Sequence, residues 1–354
     1  MGCAAGEPAA LRDVTEGGGI ARATTGPEDA VTASGGMRAA VMRRVGGPEV
    51  LAVADVPLPG AADGQSLVDV TYAGINFDDI ERRAGDGPTP ELPAVLGVDV
   101  VGRRRRDGRR VVVLMRHGGG YAQVAAATDA HSVEVPDDIS DEQAIGVFEQ
   151  GATAYGALTL AGRVRPGESV VVSAAAGGVG HLAVQLAVAL GARPVIGIAS
   201  TEAKRAFVRD LGADHALEPG ADVRDVTGGR GVDLVIDATG GDSTRALLGG
   251  VALFGRLVSY GWRAATPDRG VVTVSTEDLT DRSIGCAGFW MRHVVDDRPV
   301  LEAITDELFG YARKGLLHAH IDRIVPLDRV GEAHAAIADR RTTGKVLVDV
   351  RREG

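Results

Sequence analysis

"SVVVSAAAGGVGHLAVQLAVALGA", residues 169–192, runs a short stretch of mostly β-branched residues into alanines and glycines and then into an apolar run. Ser169 to Ser173 reads as a short buried strand, and Val179, Leu182, Ala183, Leu186 and Leu190 recur at helical spacing until Gly191 ends the pattern. A strand therefore turns through glycines into a helix. Such a turn leaves backbone N–H groups unpaired at the helix N-terminus, where the helix dipole also favours negative charge, so it suits a phosphate group. The guest this selects is a nucleotide.

Length and charge bound what that nucleotide serves. With 354 residues, 45% of them hydrophobic and 24% charged, the chain can bury two cores. A net charge of -10 repels polyanions, which excludes nucleic acid as a partner unless a local basic patch exists. The one Arg-dense run, "GRRRRDGRR" at 102–110, holds an Asp107-Gly108 dipeptide and reads as a hairpin with a solvated polar face. Only Cys3 and Cys286 are present, so neither a disulfide framework nor a Cys₄ zinc site is expected, and a reducing cytoplasm fits. No segment approaches the roughly 18 uninterrupted apolar residues that a membrane-spanning helix needs. Residues 1–36, rich in Gly, Ala, Thr and acidic residues, are expected to form a disordered tail; they match neither a signal peptide nor an N-myristoylation site.

From Met37 the texture changes to short alternating runs punctuated by Gly, Pro and Asp-Gly, as in "SLVDVTYAGINFDDIERRAG" and "LPAVLGVDVVG". These predict a mostly β module. After the helical "SDEQAIGVFEQGATAYGALTLAG", strands and helices alternate through "PVIGIASTEAKRAFVRDLGA", "GVDLVIDATGG" and "GRLVSYG", which implies right-handed crossovers and a doubly wound parallel sheet. The C-terminal "IDRIVPLDRVGEAHAAIADRRTTGKVLVDV" reverts to strand, helix and strand and is expected to return to the first module.

The segments "GGPEVL", "AGINFDDIERRAG", "LGVDVVG", "GGYAQV", "GATAYGAL", "VRPGESVVVSAAAGGVGHLAVQLA", "LGADHAL" and "RRTTGKVLVDV", in this order, resemble the zinc-free quinone oxidoreductase branch of the medium-chain dehydrogenase/reductase superfamily. The resemblance spans about residues 37 to 350. It implies a GroES-like catalytic domain over 37–151, completed by 293–354, and a Rossmann NADP(H)-binding domain over 152–292. It also implies a homodimer joined through the strand around "SIGCAGFW".

A lone G-x-G-x-x-G is weak, and here Ala175 replaces its first glycine, but strand, helix and second strand at the expected distance supply the context for a dinucleotide site. Ala176, Gly177, Gly178 and Val179 are its candidate cofactor-binding residues. At the end of the second strand, where an Asp or Glu would bond the ribose of NAD(H), the sequence offers Ser200, with Lys204 and Arg205 on the next helix. A hydroxyl and two cations suit a 2′-phosphate, so NADPH is favoured; the same cations also read as a solvated helix face. By the resemblance, Asn76 lies beside the nicotinamide and Thr153 near its carboxamide. Tyr260 and Gly261 fall where the fifth Rossmann strand ends against the cofactor. Lys345 faces the pyrophosphate or is a plain strand-end lysine, and Asp79 caps or pairs at a helix start.

The zinc alcohol dehydrogenases of this fold use a Cys, His and Cys or acidic set, whereas the matching segments here read "GINFDD", "LGVDVVG" and "FEQGATAY". No metal site is expected; His318 and His320 read as surface residues at a strand edge. Without a metal, a simple ketone would leave its alkoxide charge unsupported, whereas quinones and α,β-unsaturated carbonyls spread the charge over a phenolate or enolate. Conjugated carbonyls or quinones are therefore the expected small-molecule substrates. "DGPTPELP" lacks the aromatic common in quinone reductases of this branch, which leaves the acceptor open. Glu149, shielded by Phe148, reads as a general acid or base with a raised pKa, or as a carboxylate bonding backbone at a helix end. Two alternatives stand beside an NADPH-dependent reductase: a redox-neutral cyclase or isomerase in which Glu149 or Tyr72 moves protons, and a non-catalytic nucleotide-binding protein.

Overall fold

The computed structural model describes residues 36–261 and 272–352. The tail expected over 1–36 lies outside these residues except for Gly36, which opens a strand. Strands Gly36–Met42 (β1), Leu51–Pro57 (β2) and Ala94–Val95 (β4) form a three-stranded antiparallel sheet in the order β2-β1-β4. A second sheet is built on Gln65–Ile75 (β3), Asp99–Arg104 (β5), Arg110–Leu114 (β6), Val124–Thr128 (β7) and Ser132–Glu134 (β8). The chain's last strands, Ile321–Pro326 (β15) and Lys345–Asp349 (β16), return to it, giving the order β15-β16-β3-β5-β6-β8 with β7 also on β3. The C-terminal return expected from the sequence is thus made by β16 pairing antiparallel with β3, Val346 opposite Ile75.

The quoted stretch forms the strand Val170–Val172 (β9), buried throughout, and the helix Gly180–Ala189 (α3). With Val195–Ile198 (β10), His215–Leu217 (β11), Val232–Asp237 (β12), Val251–Ser259 (β13) and Gly285–Gly288 (β14), β9 builds a six-stranded, wholly parallel sheet. Its order, β11-β10-β9-β12-β13-β14, is 3-2-1-4-5-6 in chain order, which is that of a Rossmann sheet. The near-continuous apolar runs of β9 and β12 follow from helices covering both faces. A GroES-like β module and a doubly wound α/β sheet make up the fold.

Between the sheets lies the helix Asp141–Gly156, which with Phe77–Ala84 positions the site; we number these α2 and α1. Ser140 caps α2 by accepting from the Gln143 N–H at 3.2 Å. Ile145, Phe148 and Ala152 of α2 share one core with Val101 and Leu114 of the β module and Leu182 of α3. The hairpin predicted at 102–110 is present as β5 and β6, with Gly108 at φ +71°. Its face is not wholly solvated as expected, since Arg104 is buried and bonded to Asp107 and Glu134. Among the described residues no helix is long and apolar enough to cross a membrane.

Gly180 is where helix and strand come closest. A Cβ there would lie 2.3 Å from the Ala174 carbonyl oxygen and 2.8 Å from the Ala175 Cα, both backbone atoms that cannot rotate away. Gly180→Ala is therefore expected to lower stability by about 1–3 kcal/mol, whereas Gly60→Ala, with nothing within 4 Å, leaves it unchanged. Urea unfolding of the two variants checks this.

Candidate active site

α1 begins where β3 ends. Asn76 is its N-cap residue, and Asp79 closes the first turn by accepting the Asn76 N–H at 3.1 Å. The other Asp79 oxygen accepts from the Gly97 N–H at 2.9 Å, so Asp79 acts as the helix-start cap that was one of its two readings. Fully buried, its carboxyl is pushed up to about 7 by desolvation, against the pull of these two donors.

Capping leaves the Asn76 side chain free for a different task. Its Nδ2 donates to Asp99 Oδ1 at 2.6 Å, while its Oδ1 accepts from Lys345 Nζ at 2.9 Å and Gln150 Nε2 at 3.0 Å. A carboxylate on one side and an ammonium on the other fix which end is oxygen. Lys345 is wholly buried and also donates to Asp99 Oδ2 at 2.9 Å. It is therefore neither of the two things its sequence position offered: it does not stand open to a pyrophosphate, and it is not a plain strand-end lysine. Gly74 makes the space, because a Cβ there would lie 2.4 Å from Asp99 Oδ1 and 2.6 Å from Lys345 Cε.

Gln150 carries this network to the nucleotide turn. A Cβ on Gly178 would fall 2.4 Å from Gln150 Nε2 and 2.5 Å from its Oε1, so the bare glycine and the buried amide lie against each other. The Gln150 Oε1 is buried with no hydrogen-bond partner among the described residues. Beside it the turn itself is open. α3 has no side-chain cap, and the N–H groups of Gly178 and Val179 donate to no carbonyl among the described residues. Ala176 is buried, and the Gly177 N–H closes the turn on the Ala174 carbonyl at 2.8 Å. Ala175, the departure from three glycines, is tolerated because Gly197 on β10 faces it: a Cβ at Gly197 would lie 2.9 Å from that of Ala175. An uncapped helix start, free amides and an unpartnered acceptor fit a bound dinucleotide.

Glu149, next to Gln150, sits in the middle of α2 and not at a helix end, so the reading in which it bonds backbone there is corrected. Burial pushes its carboxyl up to about 7; the charges of Asp99, Asp78 and Asp79 add to the rise and Lys345 opposes it. The Thr153 hydroxyl, one turn on, donates to the Glu149 carbonyl at 2.9 Å. Tyr260, at the end of β13, is pushed up by burial and feels Glu149 and Asp237; Gly261 accepts from Ser259 Oγ at 3.1 Å.

Tyr72 is not part of this group. Its hydroxyl donates to Glu142 Oε1 at 3.0 Å, in the first turn of α2 and seven residues before Glu149, and burial with that bond pushes its pKa up to about 12. At the end of β10, Ser200 is exposed, and the two cations beyond it are neither free nor merely solvated. Lys204 Nζ donates to the Arg340 carbonyl at 2.7 Å, and Arg205 donates to the Ala199 carbonyl at 3.2 Å and to Glu202 at 3.0 Å. Arg340, exposed beside Lys204, went unnoticed in the sequence, as did Asp99. His318 is exposed, whereas His320 stacks on Phe207 at 4.9 Å. No group of three or more His, Cys, Asp or Glu among the described residues is placed to hold a metal ion.

A family model described as zinc-binding dehydrogenase matches residues 178–306. The chain is 32% identical over 333 residues to a 2-haloacrylate reductase of Burkholderia sp, which covers 88% of this chain and 98% of the relative. It is 33% identical over 318 residues to a quinone oxidoreductase of Pseudomonas aeruginosa, covering 86% and 96%. The structure of Escherichia coli quinone oxidoreductase complexed with NADPH superposes with a TM-score of 0.81 at 28% identity, covering 88% of this chain and 99% of that one.

The buried pair makes a sharp demand. Asp99→Asn leaves the Lys345 ammonium buried without its counter-charge and is expected to remove about 3–5 kcal/mol of stability. Adding Lys345→Met to that variant recovers most of the loss. Urea midpoints of the single and double variants, with unchanged slopes, decide the matter.

Proposed function

The chain belongs to the quinone oxidoreductase branch of the medium-chain dehydrogenase/reductase superfamily, and from that premise we propose that it is an NADPH-dependent reductase of quinones or α,β-unsaturated carbonyls. That it is a nicotinamide-dependent oxidoreductase follows from the family. The observation that carries the finer reading is the half-buried carboxyl of Glu149, raised to about 7, beside the Gln150 amide that lies on the open turn of α3.

A bound NADPH supplies hydride to the conjugated position of the acceptor. The Gly178 and Val179 amides would hold its pyrophosphate, with Ala176 and Gly177 shaping the turn, and Gln150 Oε1 would accept a hydroxyl or amide N–H from it. Asn76 has both lone-pair directions of Oδ1 filled and one Nδ2 hydrogen left to give, so its contact with the cofactor is as a donor. Thr153, Tyr260 and Gly261 would border the same cofactor. Ser200, Lys204 and the exposed Arg340 would take the 2′-phosphate, a choice supported by the absence of a carboxylate at the strand end. In an enone, hydride addition breaks the C=C π bond and leaves an enolate; in a quinone, addition at a carbonyl oxygen breaks that C=O π bond and leaves a phenolate at the other oxygen. The protonated fraction of Glu149, substantial near neutral pH, gives that anion its proton and is recharged from solvent through its partly exposed face. Tyr72, tied to Glu142, has no part in this.

A homodimer is proposed on the open edge of the parallel sheet. β14 is the edge strand, and Leu253 and Phe254 on neighbouring β13 are 65% and 78% exposed.

Titrating the protein with NADPH by fluorescence, then following the reduced-nicotinamide absorbance with quinones and enones, tests the reading; absence of NADPH binding overturns it. Glu149→Gln is expected to lower kcat by roughly 10²-fold. In the wild type the rate falls as pH rises through about 7, because the protonated carboxyl is the donor; the variant loses that limb. Lys204→Met should weaken NADPH binding about tenfold while leaving NADH binding unaltered, and equal weakening of both would remove Lys204 from the 2′-phosphate site.

A further inference from the structure

A cavity of about 510 Å³ opens between the segment that follows α1 and the loop that follows β6. Its wall carries Arg82, Arg116, His117 and Arg292, and among the residues lining it Glu91 is the one carboxylate. Two connections join it to the site already described. Asp78, whose charge bears on Glu149, lies 2.6 Å from Arg82 Nε. Trp290, over whose ring the Arg292 guanidinium sits at 5.4 Å, follows Phe289, and the Phe289 ring occupies the space a Cβ at Gly156 would need. Gly156 is seven residues from Glu149 on α2, and hence on the same helix face.

The arginines are held but not saturated. Arg82 also donates to the Arg116 carbonyl at 3.3 Å, and Arg116 Nη1 lies 2.5 Å from Asp296. Arg116 Nε is buried without a hydrogen-bond partner among the described residues. Arg292 is exposed, and it meets no carboxylate within ion-pair distance among the described residues. The Asp78 and Asp296 carboxylates fix two of the guanidinium groups in place without neutralising the third. A planar fork of N–H donors beside a second, oriented fork is what binds a carboxylate in two-point fashion.

We infer that the Arg82, Arg116 and Arg292 cavity seats a carboxylate of the acceptor, so that the preferred substrate is a conjugated carbonyl that carries a carboxylate and not a neutral one. This rests on the reductase reading for the word substrate, though not for the anion site itself. A carboxylate held there is drawn against the cations while the conjugated carbon reaches toward Glu149.

The test reads binding and turnover separately. Calorimetry without cofactor, where no turnover occurs, compares 3-benzoylpropionate with its methyl ester; turnover compares 3-benzoylacrylate with its methyl ester in the presence of NADPH. The acid is expected to bind about tenfold more tightly than the ester, and the acid-to-ester ratio of kcat/KM falls by a similar factor in Arg292→Gln. Arg292→Lys, which keeps the charge but not the fork, restores part of the ratio. Arg313→Gln, which removes an exposed arginine paired with Asp138 outside the cavity wall, leaves it unchanged. Raising ionic strength weakens the acid and not the ester. Equal binding of acid and ester by the wild type, or an undiminished ratio in Arg292→Gln, overturns the inference. A carboxylate preference in calorimetry without NADPH oxidation by either acceptor overturns the reductase reading and retains the anion site.

Discussion

A lysine with no exposed surface has to be answered by charge and by hydrogen bonds, and Lys345 organises the site because of it. Its counter-ion, Asp99, fits only because residue 74 is glycine. Asn76 completes the shell, and in doing so gives up its carbonyl oxygen to Lys345 and Gln150 together. Gln150 in turn can lie where it does only because residue 178 is glycine. One buried charge on the last strand thus fixes, through three side chains and two glycines, the relation between the β module and the turn that opens α3. Removing any member leaves another polar group buried without a partner, which is why the network behaves as a unit.

This explains which parts were legible in the sequence. The strand, turn and helix at 169–192 is local, written in a period and three glycines, and with the alternation after it predicts the parallel, doubly wound sheet that the structure has. Asn76 was legible through the family resemblance of "GINFDD", and Glu149 through a segment that stands where a metal ligand stands in related enzymes. The Lys345 and Asp99 pair spans 246 residues and has no local signature: a lysine after "TTG" and an aspartate inside an apolar strand each look ordinary alone. Tyr72 misled for the converse reason. A tyrosine two strand positions from Gly74 looks well placed, but the Glu142 acceptor holds its hydroxyl at the start of α2. The Ala175 departure was visible, whereas its compensation by Gly197, on a neighbouring strand, was not.

Electrostatics at the cleft wall follow from the same arrangement. Glu149 faces three aspartates and one lysine, and the lysine is already matched by Asp99, so little positive potential remains to ionise it. Desolvation then has the larger say and leaves a substantial share of the carboxyl protonated at neutral pH. A carboxyl placed where a metal ligand would stand, among carboxylates instead of other ligands, is suited to giving a proton rather than to holding a cation.

The helix that carries Glu149 and Gln150 is itself a poor helix on intrinsic grounds. α2 contains Gly146, Gly151 and Gly156, each costing about 1 kcal/mol relative to alanine in a helix interior. Each glycine marks a crossing: a Cβ would lie 2.4 Å from that of Ala319 at Gly146, 3.3 Å from Leu308 at Gly151 and 2.2 Å from Phe289 at Gly156. The three neighbours come from three segments that all follow the last strand of the parallel sheet in the chain. What holds the helix straight is therefore its surroundings and not its propensity. The wall bearing the carboxyl and the amide is rigid only when both sheets are assembled around it, so the geometry for binding and proton transfer belongs to the complete fold and to neither sheet alone.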